Sequence, residues 1–114
     1  MITLEVKHGE LIEGLTKQAA SAGIINGAIV SLIGAADSFT LSTMPADDAS
    51  KDVLTDYSQP AEMSGTGEIV NGVVHVHATM AVAGDKGLSG HLHRALVDTW
   101  FARAYVIPAT APGL

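Results

Sequence analysis

The sequence predicts an α+β fold, a mostly antiparallel β-sheet with one main α-helix packed on it. Three observations carry that prediction. Ile2, Leu4 and Val6 alternate with Thr3, Glu5 and Lys7, the two-residue period of a half-buried strand. Apolar residues recur at clear helical spacing in one stretch only, between Leu11 and Ala22. Turn signals divide the rest into short Val- and Ile-rich runs, the strongest being Asn71-Gly72 between Ile69-Val70 and Val73-Val74.

Taken in order, the first strand ends near Lys7. The helix follows, with Leu11, Ile12, Leu15, Ala19 and Ala22 as the stripe expected to pack on the sheet. Glu10 and Glu13 in its first turn suit the helix dipole, and Gly23 stops it. Residues 27–32 read as a strand, Ile33-Gly34-Ala35 as a glycine kink, and Phe39 and Leu41 as its continuation. Residues 45–50 form a polar loop and 53–57 a short strand. Pro60 precedes a strand over 62–70, where Gly65 and Gly67 weaken the pairing or mark bulges. A type I′ turn at Asn71-Gly72 needs positive φ at both central positions, so the strands on either side pair antiparallel. Residues 73–82 are a strand, 84–87 a turn, 88–92 the returning strand and 96–107 the last one. Residues 1–108 then form a single domain of six to eight strands, and 109–114 are a tail without periodicity, expected to fray.

Composition excludes several function classes. A formal charge of −6 disfavours nucleic acid, whose non-specific affinity comes from basic side chains displacing counterions. There is no cysteine, so thiolate nucleophiles, disulfides and Cys-type zinc fingers are ruled out, and any metal must be held by His, Asp or Glu. No apolar run is long enough to span a membrane, and Met1 leads straight into the first strand pattern. A cytoplasmic protein without membrane contact is expected. With aromatics at only 4%, the core must be aliphatic.

Four of the five histidines fall in Val74-His75-Val76-His77 and Gly90-His91-Leu92-His93. Residues i and i+2 of a strand share a face, so His75 and His77 stand side by side while Val74 and Val76 face the other way. The turn at 84–87 can bring His91 beside His77, within cross-strand reach. Register decides the rest. If opposite residues sum to 168, His77 faces His91 and His75 faces His93, but a bulge would change the parity, which leaves His93 open as a ligand. An imidazole set of this kind suits zinc first, and three protein ligands with an open position are the arrangement of catalytic zinc. The competing reading is a set of hydrogen-bonded histidines on an exposed sheet face.

The chain also resembles a known family. Gly9-Glu10-Leu11, the run from Gly27 to Ala35 (Gly-Ala-Ile-Val-Ser-Leu-Ile-Gly-Ala), Glu62 with Ser64-Gly65, His75-Val76-His77, and Ser89-Gly90-His91-Leu92 look like successive blocks of the plant and prokaryote conserved (PPC) domain. The match in order and spacing runs over about residues 4–107. The resemblance implies a homotrimer and, in prokaryotic members, a divalent metal, usually taken as zinc, on the residues matching His75, His77 and His91. The sequence departs from the pattern at Lys7-His8, Ser89, Ala95 and Ala102. The last stands where many prokaryotic relatives carry Glu, which puts shared chemistry in doubt. Plant relatives add a basic AT-hook that contacts DNA, and no such segment occurs here.

Three functions compete: a metal-containing homotrimeric binding and assembly module that takes a small anionic ligand or a partner protein, a metal-dependent enzyme using a water held by the three histidines, and a DNA-binding protein by family label, disfavoured by charge. For an enzyme, Glu62, Glu68, Asp85 and Asp98 lie near the right segments, though each reads first as a solvated surface charge. The trimer has a second motive. A last strand carrying Trp100 and Phe101 as neighbours would present large apolar groups on both faces, more than one helix can cover.

Overall fold

A computed structural model describes residues 1–110. The chain runs β1 (Ile2–Val6), β2 (Gly9–Glu10), α1 (Leu11–Ser21), β3 (Gly27–Ala36), β4 (Ser38–Thr43), β5 (Val53–Tyr57), β6 (Ala61–Val70), β7 (Val73–Val82), β8 (Lys86–Val97) and β9 (Ala102–Pro108). All nine strands join one antiparallel sheet in the order β1-β9-β3-β6-β7-β8-β4-β5, and β2 pairs separately with β8.

That order requires a curled sheet. β9, β3, β6 and β7 lie between β1 and β8, yet only Lys7 and His8 separate β1 from the Gly9↔Val97 pair on β8. Two residues bridge at most about 10 Å. A single residue, Asp37, likewise carries the chain from β3 across to β4 on β8. The two halves of the sheet therefore meet at one end. Asp37 holds them there: its carboxylate accepts from the Asp98 and Thr99 backbone N–H groups and from the Thr99 hydroxyl, and its own N–H donates to the Leu96 carbonyl.

The aliphatic core lies on the inner face. Ile29, Leu32, Met63, Ile69, Val76, Met80, Leu92, Val97 and Val106 are buried from the sheet, and Leu11, Leu15 and Ala19 from α1. Ile12 is only half-buried and Ala22 is exposed, so the packed stripe is narrower than the sequence suggests. Glu10 is the N-cap. Its side chain accepts from Ile12 N and Glu13 N and also from Ala95 N of β8, so one carboxylate caps the helix and ties it to the sheet.

The hairpin at Asn71-Gly72 forms as expected, with φ of 51° and 78°. Three expectations are corrected. Residues 33–35 do not interrupt β3, and Gly34 admits no side chain because a Cβ there would stand 2.1 Å from the Phe101 carbonyl oxygen. The bulge falls instead between Ile29 and Leu32, so Val30 and Ser31 both face outward. β6 pairs β7 without a register shift, and Gly65 and Gly67 serve close approach instead: a Cβ at either would meet the His77 or His75 carbonyl oxygen. The last strand is two strands, with Leu96 and Val97 in β8, and with Trp100 and Phe101 in the connection that Asp37 caps. Trp100 is 68% exposed, and β9 turns Ala102, Ala104 and Val106 inward. Of the tail, Ala109 donates its N–H to the Asn26 carbonyl, and 111–114 lie outside the described residues. No described helix is long and apolar enough to cross a membrane.

Candidate metal centre

The outer face of β6, β7 and β8, with Val30 and Ser31 of β3 and the end of β4, forms an open cleft of about 940 Å³. His75, His77 and His91 line it with the hydroxyl residues Ser64, Thr66, Thr79 and Ser89. Alternation on β7 sets this up: Val74, Val76, Ala78 and Met80 go to the core, and His75, His77 and Thr79 to the cleft. Gly65 and Gly67 let β6 lie close against the carbonyls of the histidine strand.

The register is the even one, with His77 opposite His91. His77 Nε2 and His75 Nε2 are 3.0 Å apart, one ring donating and the other accepting. The His91 ring lies 4.4 Å from that of His75 and 5.8 Å from that of His77, centroid to centroid. Beyond His91 the β8 chain bulges: Leu41 pairs with Leu92 but Thr40 with Arg94, which leaves His93 as the extra residue. His93 stacks on His91 at 4.1 Å and its Nε2 bonds to the Ser42 hydroxyl at 2.7 Å, while the pairing of β7 with β8 stops at His77↔His91 and does not reach His75 and His93.

Burial pushes the His91 pKa below the ordinary histidine value, and neighbouring His93, His75 and His77 push it further, while Asp52 acts in the opposite sense. A neutral imidazole is the form that coordinates a metal. Two nitrogens of a tetrahedral zinc shell stand about 3.3 Å apart for zinc–nitrogen bonds of about 2.0 Å. The His75 and His77 nitrogens come close to that spacing, and His91 adds a third imidazole at the same spot. Among the described residues no group of three or more His, Asp or Glu is already arranged to hold a metal.

None of Glu62, Glu68, Asp85 and Asp98 lines the cleft, and Ala102 is buried in the core away from it. The carboxylate present is Asp52, just before β5. No pattern in the chain marks it, because its approach depends on β4 and β5 folding beside β8.

The family model for the Plants and Prokaryotes Conserved (PCC) domain matches residues 1–110. Solved structures share the fold at low identity. A candidate DNA-binding protein from Ralstonia eutropha JMP134 is 22% identical with a TM-score of 0.80, over 96% of this chain and 78% of that one. A metal-containing protein from Archaeoglobus fulgidus is 22% identical with a TM-score of 0.75, over 96% and 79%. A plant- and prokaryote-conserved protein from Pyrococcus horikoshii is 16% identical with a TM-score of 0.78, over 96% and 80%. No curated protein matches the sequence.

Proposed function

Because the chain belongs to the Plants and Prokaryotes Conserved domain family, we propose that it is a cytoplasmic metal-binding module that assembles as a homotrimer and takes a small ligand or partner protein at its open sheet face. The observation that supports the metal is the meeting of three imidazoles: His75 and His77 from one strand and His91 directly opposite His77. These three side chains would hold one divalent cation, zinc by the chemistry of the donor set, with no carboxylate or thiolate needed in the set. When bound, such a cation supplies a Lewis-acid position open to solvent.

The metal reading is tested by titrating zinc into metal-stripped protein. A single site per chain is expected, lost when His75, His77 and His91 are all changed to Ala and weakened as pH falls through about 6. Binding that survives the triple change refutes it. The trimer rests on the apolar side chains left outside the core, Val30, Ile33, Trp100 and Ile107. Light scattering at micromolar concentration should give three times 11.7 kDa, and the mass of one chain refutes the trimer.

The DNA-binding description of the Ralstonia eutropha neighbour favours a second reading. The charge of −6 weighs against it, because too few basic side chains are present to release phosphate counterions.

A further inference from the structure

The histidines share their cleft with one other ionisable side chain. Among the lining residues there is no lysine or arginine, and Asp52 is the only carboxylate. Register fixes where it sits. Ser42 of β4 pairs with His91, and the next residue, Thr43, pairs with Val53, directly after Asp52. Asp52 is thus two strands over from His91 and two residues further along, about 12 Å between backbones at ordinary strand spacing. Both side chains line the same open cleft. Its commitments differ from those of its neighbour Asp48, whose carboxylate is taken by Ser50 and Lys51. Asp52 takes part in none of the side-chain hydrogen bonds or ion pairs found among the described residues. What sets Asp52 apart from the other exposed carboxylates is its place: it alone lines the cleft that holds the three imidazoles.

We propose that Asp52 is the electrostatic anchor of this cleft, a carboxylate that attracts a divalent cation to the histidines through an intervening water or ligand rather than by direct coordination. The inference rests on the metal-binding reading and adds to it a positioning residue outside the three histidines. Asp52 makes no hydrogen bond to an imidazole, so its effect here is that of a nearby negative charge and not of a carboxylate that orients a ring. Because Asp52 acts across solvent, its contribution is modest and sensitive to salt.

The experiment is calorimetric titration of zinc chloride into metal-stripped wild-type protein, Asp52→Asn and Asp47→Asn, at low salt and in 1 M sodium chloride. Asp47 is exposed in the same loop but does not line the cleft. Asp52→Asn should weaken zinc binding by about three- to tenfold at low salt, and by less than about twofold in 1 M salt, where the screening length is about 3 Å. Asp47→Asn should bind as wild type does. Unchanged affinity in Asp52→Asn, an equal loss in Asp47→Asn, or a loss that 1 M salt does not reduce overturns the assignment while leaving the histidine site standing. A wild-type protein that binds no zinc overturns both.

Discussion

Changing Gly67 to Ala tests whether close approach of β6 is what positions the histidine strand. An added Cβ would stand 2.2 Å from the His75 carbonyl oxygen and 3.1 Å from Val76 Cα, roughly 1 Å inside van der Waals contact with the oxygen. Both neighbours are backbone atoms held in the β6–β7 ladder, so no rotamer change relieves the clash and β7 itself must move. Overpacking of this kind costs about 1–3 kcal/mol, partly offset by the 0.5–1 kcal/mol or so that Ala regains over Gly in chain entropy. A net loss of about 1.3 kcal/mol lowers the midpoint of a 114-residue domain by roughly 5 °C, since the unfolding entropy is about 2.1 cal/mol/K per residue. Gly87→Ala is the comparison: its Cβ would meet only the Thr79 methyl at 3.3 Å, a side-chain atom that can give way. Thermal melts followed by circular dichroism, with the His75 and His77 ring resonances as a local probe, should show a large drop and displaced ring signals for Gly67→Ala and little change for Gly87→Ala. Equal melting of Gly67→Ala and wild type would refute the argument.

Two further outcomes follow from the same structure. Glu10→Ala removes the acceptor for Ile12 N, Glu13 N and Ala95 N, so it should cost about 2 kcal/mol in urea denaturation, at or above the upper end for an ordinary N-cap; a loss below about 0.5 kcal/mol would show that the link to β8 contributes nothing. Stability should decline with acid in two stages. His91 is held below its ordinary value of 6.5 by burial and by His93, His75 and His77, so the unfolded chain takes its proton first and stability begins to fall as pH drops through about 6.5. Glu5, Glu13 and Asp37 are held below the usual carboxylate range, chiefly by hydrogen bonds from Arg103, Lys17 and Thr99. Their contributions are intact above about 4.5 and are lost as pH falls through the lower folded values. Urea midpoints measured from pH 8 to pH 3 check both stages, and a midpoint that stays constant between pH 8 and 5 removes the His91 contribution.

What could be read from the chain was what depends on near neighbours. Asn71-Gly72 specified its own turn, and the i, i+2 rule placed His75 and His77 on one face, because both statements need only a strand or a two-residue loop. The i, i+2 rule leaves two registers for the β7–β8 pair, and the one with His77 opposite His91 forms. The position of His93 was not decidable, since the bulge that sets it is a mismatch between β8 and β4, whose residues lie about fifty positions away. The place of Trp100 depends on a distant residue in the same way. Residues 96–107 are apolar enough to read as one strand, and what breaks them is Asp37, a carboxylate from the opposite side of the sheet. Asp52 gave no signal at all, because an aspartate in a polar loop becomes a cleft residue only after β5 has docked on β4.

The sheet order has a kinetic consequence. β6, β7 and β8 form a meander of consecutive strands, residues 61–97, joined by tight turns, so all three histidines come together through the shortest loop closures in the molecule. Pairing β1 with β9 instead joins the two ends of the chain, a closure that is slow to find. The imidazole cluster is accordingly expected to assemble ahead of the complete domain, before the N-terminal strand has found its place. β7 also lies between partners on both sides while β5 is an edge. Amide exchange should therefore be slow beneath the histidines and fast beside Asp52, leaving a rigid floor under the imidazoles and a yielding wall opposite them.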